Sequence, residues 1–371
     1  MRTRAQLAAA KLTLASLPDD TFLQVVAACG TDAGDVPLFE AVKGLGCVSK
    51  GIRQQLYGMQ PLVGIRSLAV VQRPAHGPWR VTLLYEGELT KALIEQARLG
   101  RVRSIDTSDT DQSLLVSSVA RRMVPDLLGA GCSLVDLDLS HFDLSGTWSA
   151  TFGEAVVCST VLRTLLLPAG NRGLRGPLPE LRLPALQRLD LSGGPLLSGG
   201  RLSGGLEPLR VCTRLEDLSL GNNKLSGTLE PLRGCRALTK LDLGDNKLTG
   251  SLEPLKGCTA LRELGLFDNY HLSGGLEPLR GCTGLQCLRL QNNHLTGGLE
   301  PLRGFTALTI LSLNGNTLTG GLEPLRGCAA LLELYLYSNP LRSGTGRGRL
   351  ADDDKDAFWN LHEQCTDGFR I

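Results

Sequence analysis

Six times between Leu215 and Leu341 the chain spells Leu-x-x-Leu-x-Leu-x-x-Asn, and the leading leucines, Leu215, Leu238, Leu261, Leu285, Leu308 and Leu331, stand 23, 23, 24, 23 and 23 residues apart. A unit of this size cannot bury an apolar face alone, so a period this regular demands that copies stack on one another. Leucines such as Leu218 and Leu220 alternate as along a short strand, one side pointing inward and the residues between them outward. The matching asparagines, Asn223, Asn246, Asn269, Asn293, Asn316 and Asn339, fall where the chain leaves the strand. An amide side chain there both donates to and accepts from turn backbone that has no other partner, which makes these residues structural. The extra residue of the third unit sits at Tyr270 or His271, beyond the asparagine, where it lengthens a loop without shifting strand register.

The other half of each unit reads Leu-Glu-Pro-Leu-Arg-Gly-Cys, as from Leu229 to Cys235. Proline suits the first turn of a helix and glycine ends one, which predicts a single helical turn, of the tighter kind, on the side opposite the strands. Glu230 and Arg233, three apart, can pair across it. Cys212, Cys235, Cys258, Cys282 and Cys328 share one repeat position, but Phe305 takes that position in the fifth unit. Apolar packing explains the series better than a metal or disulfide stack, and no metal site is expected.

Upstream the pattern loosens. Leu186-x-x-Leu189-x-Leu191, Leu162-x-x-Leu165-x-Leu167 and Leu134-x-x-Leu137-x-Leu139 extend the array back to about residue 132. Before them, Arg80 to Tyr85, Leu89 to Arg98, Val102 to Asp106 and a helical stretch from Gln112 to Leu128 read as irregular strand-helix units. The array resembles the leucine-rich-repeat family, and the Leu-x-Gly-x-Leu step from Leu225 to Leu229 resembles its plant-type subclass. That resemblance implies an α/β solenoid, a horseshoe or shallow arc whose parallel sheet lines the concave face and binds partners there. The expected organisation is a helical module over residues 12–57, irregular units over 58–131, the solenoid over 132–342, and a flexible segment with a capping helix over 343–371.

At the N-terminal end, Leu17 to Cys29, Leu38 to Cys47 and Val48 to Leu56 read as three short amphipathic helices. In order and spacing, Leu17-Pro18-Asp19 and Cys47-Val48-Ser49-Lys50 resemble an F-box, although Ile52 stands where many F-boxes carry tryptophan. The resemblance implies that Leu17, Pro18, Phe22, Leu23, Val26, Val48, Ile52 and Leu56 meet a Skp-type adaptor, and through it a cullin, within an SCF-type ubiquitin ligase. A plain cap over the solenoid's first edge explains the same residues. At the other end Phe358, Trp359 and Leu361 are placed to cover the last repeat.

The net charge of +2 gives no general pull toward nucleic acid, and no apolar run reaches the ~18 to 20 residues of a membrane span. Eleven cysteines, an odd number, and no Asn-x-Ser/Thr sequon point to reducing cytoplasm or nucleus. No nucleophile-base-acid set or cofactor motif stands out, so the expectation is a binding protein without cofactor or catalysis. Outward strand positions carry Asp136, Asp138, Asp190, Asp217, Asp242, Glu263 and Glu333 against Arg188, Lys240 and Arg289, with Asp245 and Asp268 at the strand ends. Phe267, Tyr335 and Tyr337 project beside them. Acids and aromatics together predict a protein client that brings a basic segment. A scaffold or regulator without any ligase link remains the competing reading.

Overall fold

The first leucine of every Leu-x-Leu in the regular repeat becomes the centre of a short parallel strand. The computed structural model describes residues 21–29, 65–74, 79–85, 102–106, 134–138, 159–167, 176–178, 180–193, 202–341 and 368–370. The chain divides into two units, Met1–Ser145 with Val161–Pro168, and Gly146–Thr160 with Ala169–Ile371.

In the first unit the strands are β1 (Thr21–Cys29), β2 (Ile65–Pro74), β3 (Trp79–Tyr85), β4 (Val102–Asp106), β5 (Asp136–Asp138) and β6 (Thr164–Leu166). The pairs β1–β2 and β2–β3 are antiparallel, and β3–β4, β4–β5 and β5–β6 are parallel. Ile105, Leu137 and Leu165 are buried on the last three strands. This corrects the helical reading of Leu17 to Cys29, since Thr21 to Cys29 is a strand. Thr21, Phe22, Val25 and Val26 favour the pleated chain, and nine residues of pairing with β2 outweigh a local spacing that also fits a helix. Phe22, Leu23 and Val26 therefore lie on β1, while Leu17, Pro18, Val48, Ile52 and Leu56 fall outside the described residues, as do the helices expected near 89–98, 112–128 and 358–361.

The second unit holds β7 (Gly176–Pro177), β8 (Arg188–Asp190), β9 (Leu202–Gly204), β10 (Asp217–Ser219), β11 (Lys224–Gly227), β12 (Lys240–Asp242), β13 (Lys247–Gly250), β14 (Glu263–Gly265), β15 (His271–Gly274), β16 (Cys287–Arg289), β17 (His294–Leu295), β18 (Ile310–Ser312), β19 (Glu333–Tyr335) and β20 (Gly368–Arg370). One parallel sheet runs β8-β10-β12-β14-β16-β18-β19-β20, and a second runs β7-β9-β11-β13-β15-β17. Between successive strands of the two sheets lie 3-10 turns at Glu207–Leu209, Glu230–Leu232, Glu253–Leu255, Glu277–Leu279, Glu300–Leu302 and Glu323–Gly327, as the Glu-Pro-Leu sequence predicts. Glu230–Arg233, Glu277–Arg280 and Glu300–Arg303 pair across three of them and hold those carboxyls below their usual range, so that flank is charged but locally neutral.

The core is a stack of leucines, among them Leu218, Leu241, Leu264, Leu288, Leu311 and Leu334, each fully or almost fully buried. Two polar ladders run through it. In the first, Asn246 accepts from the Leu225 N–H at 2.9 Å and donates to the carbonyls of Leu220, Leu243 and Gly244, so it ties its own unit to the one before. Asn223, Asn269, Asn316 and Asn339 do the same. The second is made of thiols: Cys235 Sγ donates to the Cys212 carbonyl at 3.5 Å, Cys258 to Cys235 at 3.5 Å and Cys282 to Cys258 at 3.3 Å. Cys212, Cys235, Cys258, Cys282, Cys287 and Cys328 carry free thiols. Alkylation of the folded protein at pH 8 is expected to spare Cys212, Cys235, Cys258, Cys282 and Cys328 and to reach them after denaturation, as peptide mass spectrometry would show.

Candidate functional site

Because neighbouring strands of the longer sheet pair without slippage, their outward side chains line up in columns about 4.8 Å apart. Asp217 faces Lys240, Lys240 faces Glu263, and Glu263 faces Cys287. In the next column Ser219 faces Asp242, Gly265 faces Arg289, and Ser312 faces Tyr335. Asp190, Asp217, Lys240, Asp242, Glu263, Arg289 and Tyr335 thus all lie on strands of one sheet and on its outward side, and Phe267 and Tyr337 follow two residues after β14 and β19. Tyr337 and Leu332 are exposed at 41% and 42%, and Phe267 and Tyr335 are half-buried.

The charge on this face is more organised than a count of acids conveys. Arg188 pairs with Asp217 at 3.6 Å and Lys240 with Glu263 at 3.5 Å, so two of the three bases are already matched. Burial pushes the Asp217 carboxyl up from its usual value, an effect opposed by Lys240 and Arg188 beside it. Asp190 and Asp242 each cap the turn after their strand, accepting from the backbone N–H of Ser192 at 2.9 Å and of Gly244 at 3.1 Å. Asp245 and Asp268 sit at backbone φ of +50° and +53°, a conformation that Asn and Asp tolerate better than other side-chain-bearing residues. Asn222 and Asn292 take the same repeat position at +57°, and Asn292 donates to the Asp268 carboxylate at 2.7 Å. These two aspartates have a backbone reason to be where they are. Asp136 and Asp138 belong to the first unit and are not part of this set.

A family profile described as Leucine Rich repeats (2 copies) matches residues 213–257 and 283–327. These segments are leucine-rich repeats. Among solved structures, an internalin (inlF) of Listeria monocytogenes is similar at a TM-score of 0.52 and 18% identity, over 75% of this chain and 70% of that one, a likeness of fold. The ectodomain of the receptor kinase GASSHO1/SCHENGEN3 of Arabidopsis thaliana, solved with CASPARIAN STRIP INTEGRITY FACTOR 2, is similar at 0.46 and 25% identity over 67% of this chain. The Arabidopsis receptor kinase HAESA, solved with the peptide hormone IDA and the co-receptor SERK1, gives 0.45 and 26% over 59%. This chain spans 34% and 39% of those two receptor chains. No curated protein matches it.

Across the leucine-rich-repeat sheet, the sequence pattern assigned side chains to faces but not the floor between them. Gly221, Gly244 and Gly265 leave a low strip on the outward face, and half-buried Cys287 and Ile310 stand with half-buried Tyr335 and exposed Tyr337 toward the other end. The signal for the strip was present, as glycines at outward positions where other units have Arg289, Tyr335 or Tyr337.

Proposed function

We propose that the protein is a non-catalytic binding module that grips another protein on the outward face of strands β8 to β19. The observation that carries this is the face itself: strands in strict register, acids outnumbering bases, and partly exposed aromatics among them. A surface with an excess of acids speeds the approach of a basic partner, and partly exposed aromatics beside charge are typical of energetic hot spots. Peptides selected on the full chain from a random displayed library should lose affinity at least tenfold in Tyr335→Ala/Tyr337→Ala and in Asp242→Lys/Glu263→Lys. An Arg233→Glu/Arg280→Glu variant on the 3-10 flank should bind as before. If only the flank variant weakens binding, the strand face is the wrong one.

An adaptor role for residues 12–57, with a place in an SCF-type ubiquitin ligase, has the sequence resemblance behind it and the strand at Thr21–Cys29 against it. Co-purification with a Skp-type adaptor that is lost on removing residues 1–60 would support it.

A further inference from the structure

Two residues after the strand, at the first outward position beyond it, stand glycine at Gly221 and Gly244 and phenylalanine at Phe267. Phe267 lies over Gly244: a Cβ there would fall 2.3 Å from the ring's Cε1 and Cζ atoms, and Gly244 is buried although it sits on the outward side. One strand on, a Cβ at Gly265 would lie 3.1 Å from Asp242 Oδ1 and 3.8 Å from Phe267 Cε1. A carboxylate and an aromatic ring therefore border one spot that no side chain fills. The Gly244 N–H holds Asp242 Oδ1 at 3.1 Å and so fixes the carboxylate, while Lys240 on the same strand is engaged by Glu263.

Resting on the strand-face reading above, we propose that Asp242 and Phe267, bordering the open space at Gly265, anchor one arginine side chain of the bound protein. A guanidinium is planar, so it can stack on the ring while its N–H groups reach the carboxylate, and it is weakly hydrated enough to give up water for both. A lysine ammonium is a compact, strongly hydrated point charge and does not combine the two contacts as well. Arg289 faces Gly265 in register, is exposed, and belongs to none of the ion pairs among the described residues. Its positive charge beside the notch opposes any incoming cation and a run of them most, so the ring and the carboxylate together must outweigh it.

The displayed-library selection tests this directly. Peptides recovered on the full chain should share one arginine, and replacing it with lysine or citrulline should weaken binding about tenfold. Asp242→Asn, which keeps the contact to Gly244, and Phe267→Leu should each cost about tenfold and abolish the preference for arginine over lysine. Gly265→Val should do the same by filling the notch, with the Asp242 carboxylate giving way by a few tenths of an ångström. Thermal unfolding of each variant, unchanged within a few degrees, separates these effects from misfolding. Peptides that lose affinity in Tyr335→Ala/Tyr337→Ala yet show no arginine preference, or keep it in Asp242→Asn and Phe267→Leu, overturn the anchor and leave the strand-face reading standing. Peptides indifferent to every strand-face variant, or no peptides at all, overturn that reading and the anchor with it.

Discussion

Asn269→Ala is expected to destabilise the second unit by about 3–5 kcal/mol, and Asn293→Ala by clearly less, although the two residues occupy the same repeat position. Asn269 is fully buried, accepts from the Leu248 N–H at 2.9 Å, and donates to the carbonyls of Leu243, Leu266 and Phe267. Truncation leaves an N–H with no acceptor inside the core, and an orphaned buried group costs about 1–3 kcal/mol. Asn293 makes the same three donations, to Leu266, Leu290 and Gln291, but its Oδ1 accepts nothing. The N–H that should reach it, that of Leu272, bonds the Asn269 carbonyl at 2.8 Å instead, because the extra residue at Tyr270 or His271 turns the chain back one step early. Urea midpoints of the two variants decide the matter. Equal losses would mean that the acceptor half of the ladder contributes nothing.

The second large effect is alkaline. Burial pushes the thiols of Cys212, Cys282 and Cys328 up to about 11, and burial with the neighbouring Cys212 and Cys258 pushes Cys235 to about 12. In the unfolded chain the same thiols release protons near their ordinary value of 9.0. The folded state holds protons that the unfolded state has lost, so this stabilisation is complete below about pH 9 and drains away as pH rises toward 11 and 12. Each unit of difference is worth about 1.4 kcal/mol, and several thiols act together. Urea midpoints measured under reductant should therefore fall steeply above pH 9. Cys235→Ala/Cys258→Ala, though less stable at pH 7, should show a shallower fall. Parallel curves would mean that the buried thiols are not the source.

How far the fold could be read in advance depended on whether a segment repeats. From residue 215 to Leu341 the strands of the longer sheet, the 3-10 turns and the asparagine ladder were legible, because one physical solution recurs and each copy confirms the last, whereas the strand at Gly368–Arg370 and the thiol-to-carbonyl ladder were not. The second sheet was not: Lys-Leu-Ser-Gly and Lys-Leu-Thr-Gly are too short and too rich in glycine to signal a strand until the units are stacked and their backbones meet at Ser226 and Lys247. Ahead of residue 132 nothing repeats, and Thr21 to Cys29 fits a helix as well as a strand until Ile65 to Pro74 is placed beside it. On the candidate face the positions of Asp242, Phe267 and Tyr335 were legible but their interplay was not. Pairing of Lys240 with Glu263, and the ring of Phe267 resting on Gly244, are tertiary facts that no single unit contains.

The missed bond at Asn293 behaves like a dislocation in a crystal. Both sheets continue across it, with Glu263 still facing Cys287 and Ser273 still facing His294, while one row of the lattice is interrupted. Dislocations are where ordered materials yield first. Pulled from its ends, the array should part between the third and fourth regular repeats, into a block ending in Asn269 and a block beginning at Leu285. The same slackness is why this loop holds one residue more than its neighbours, whose asparagines keep the full set of bonds.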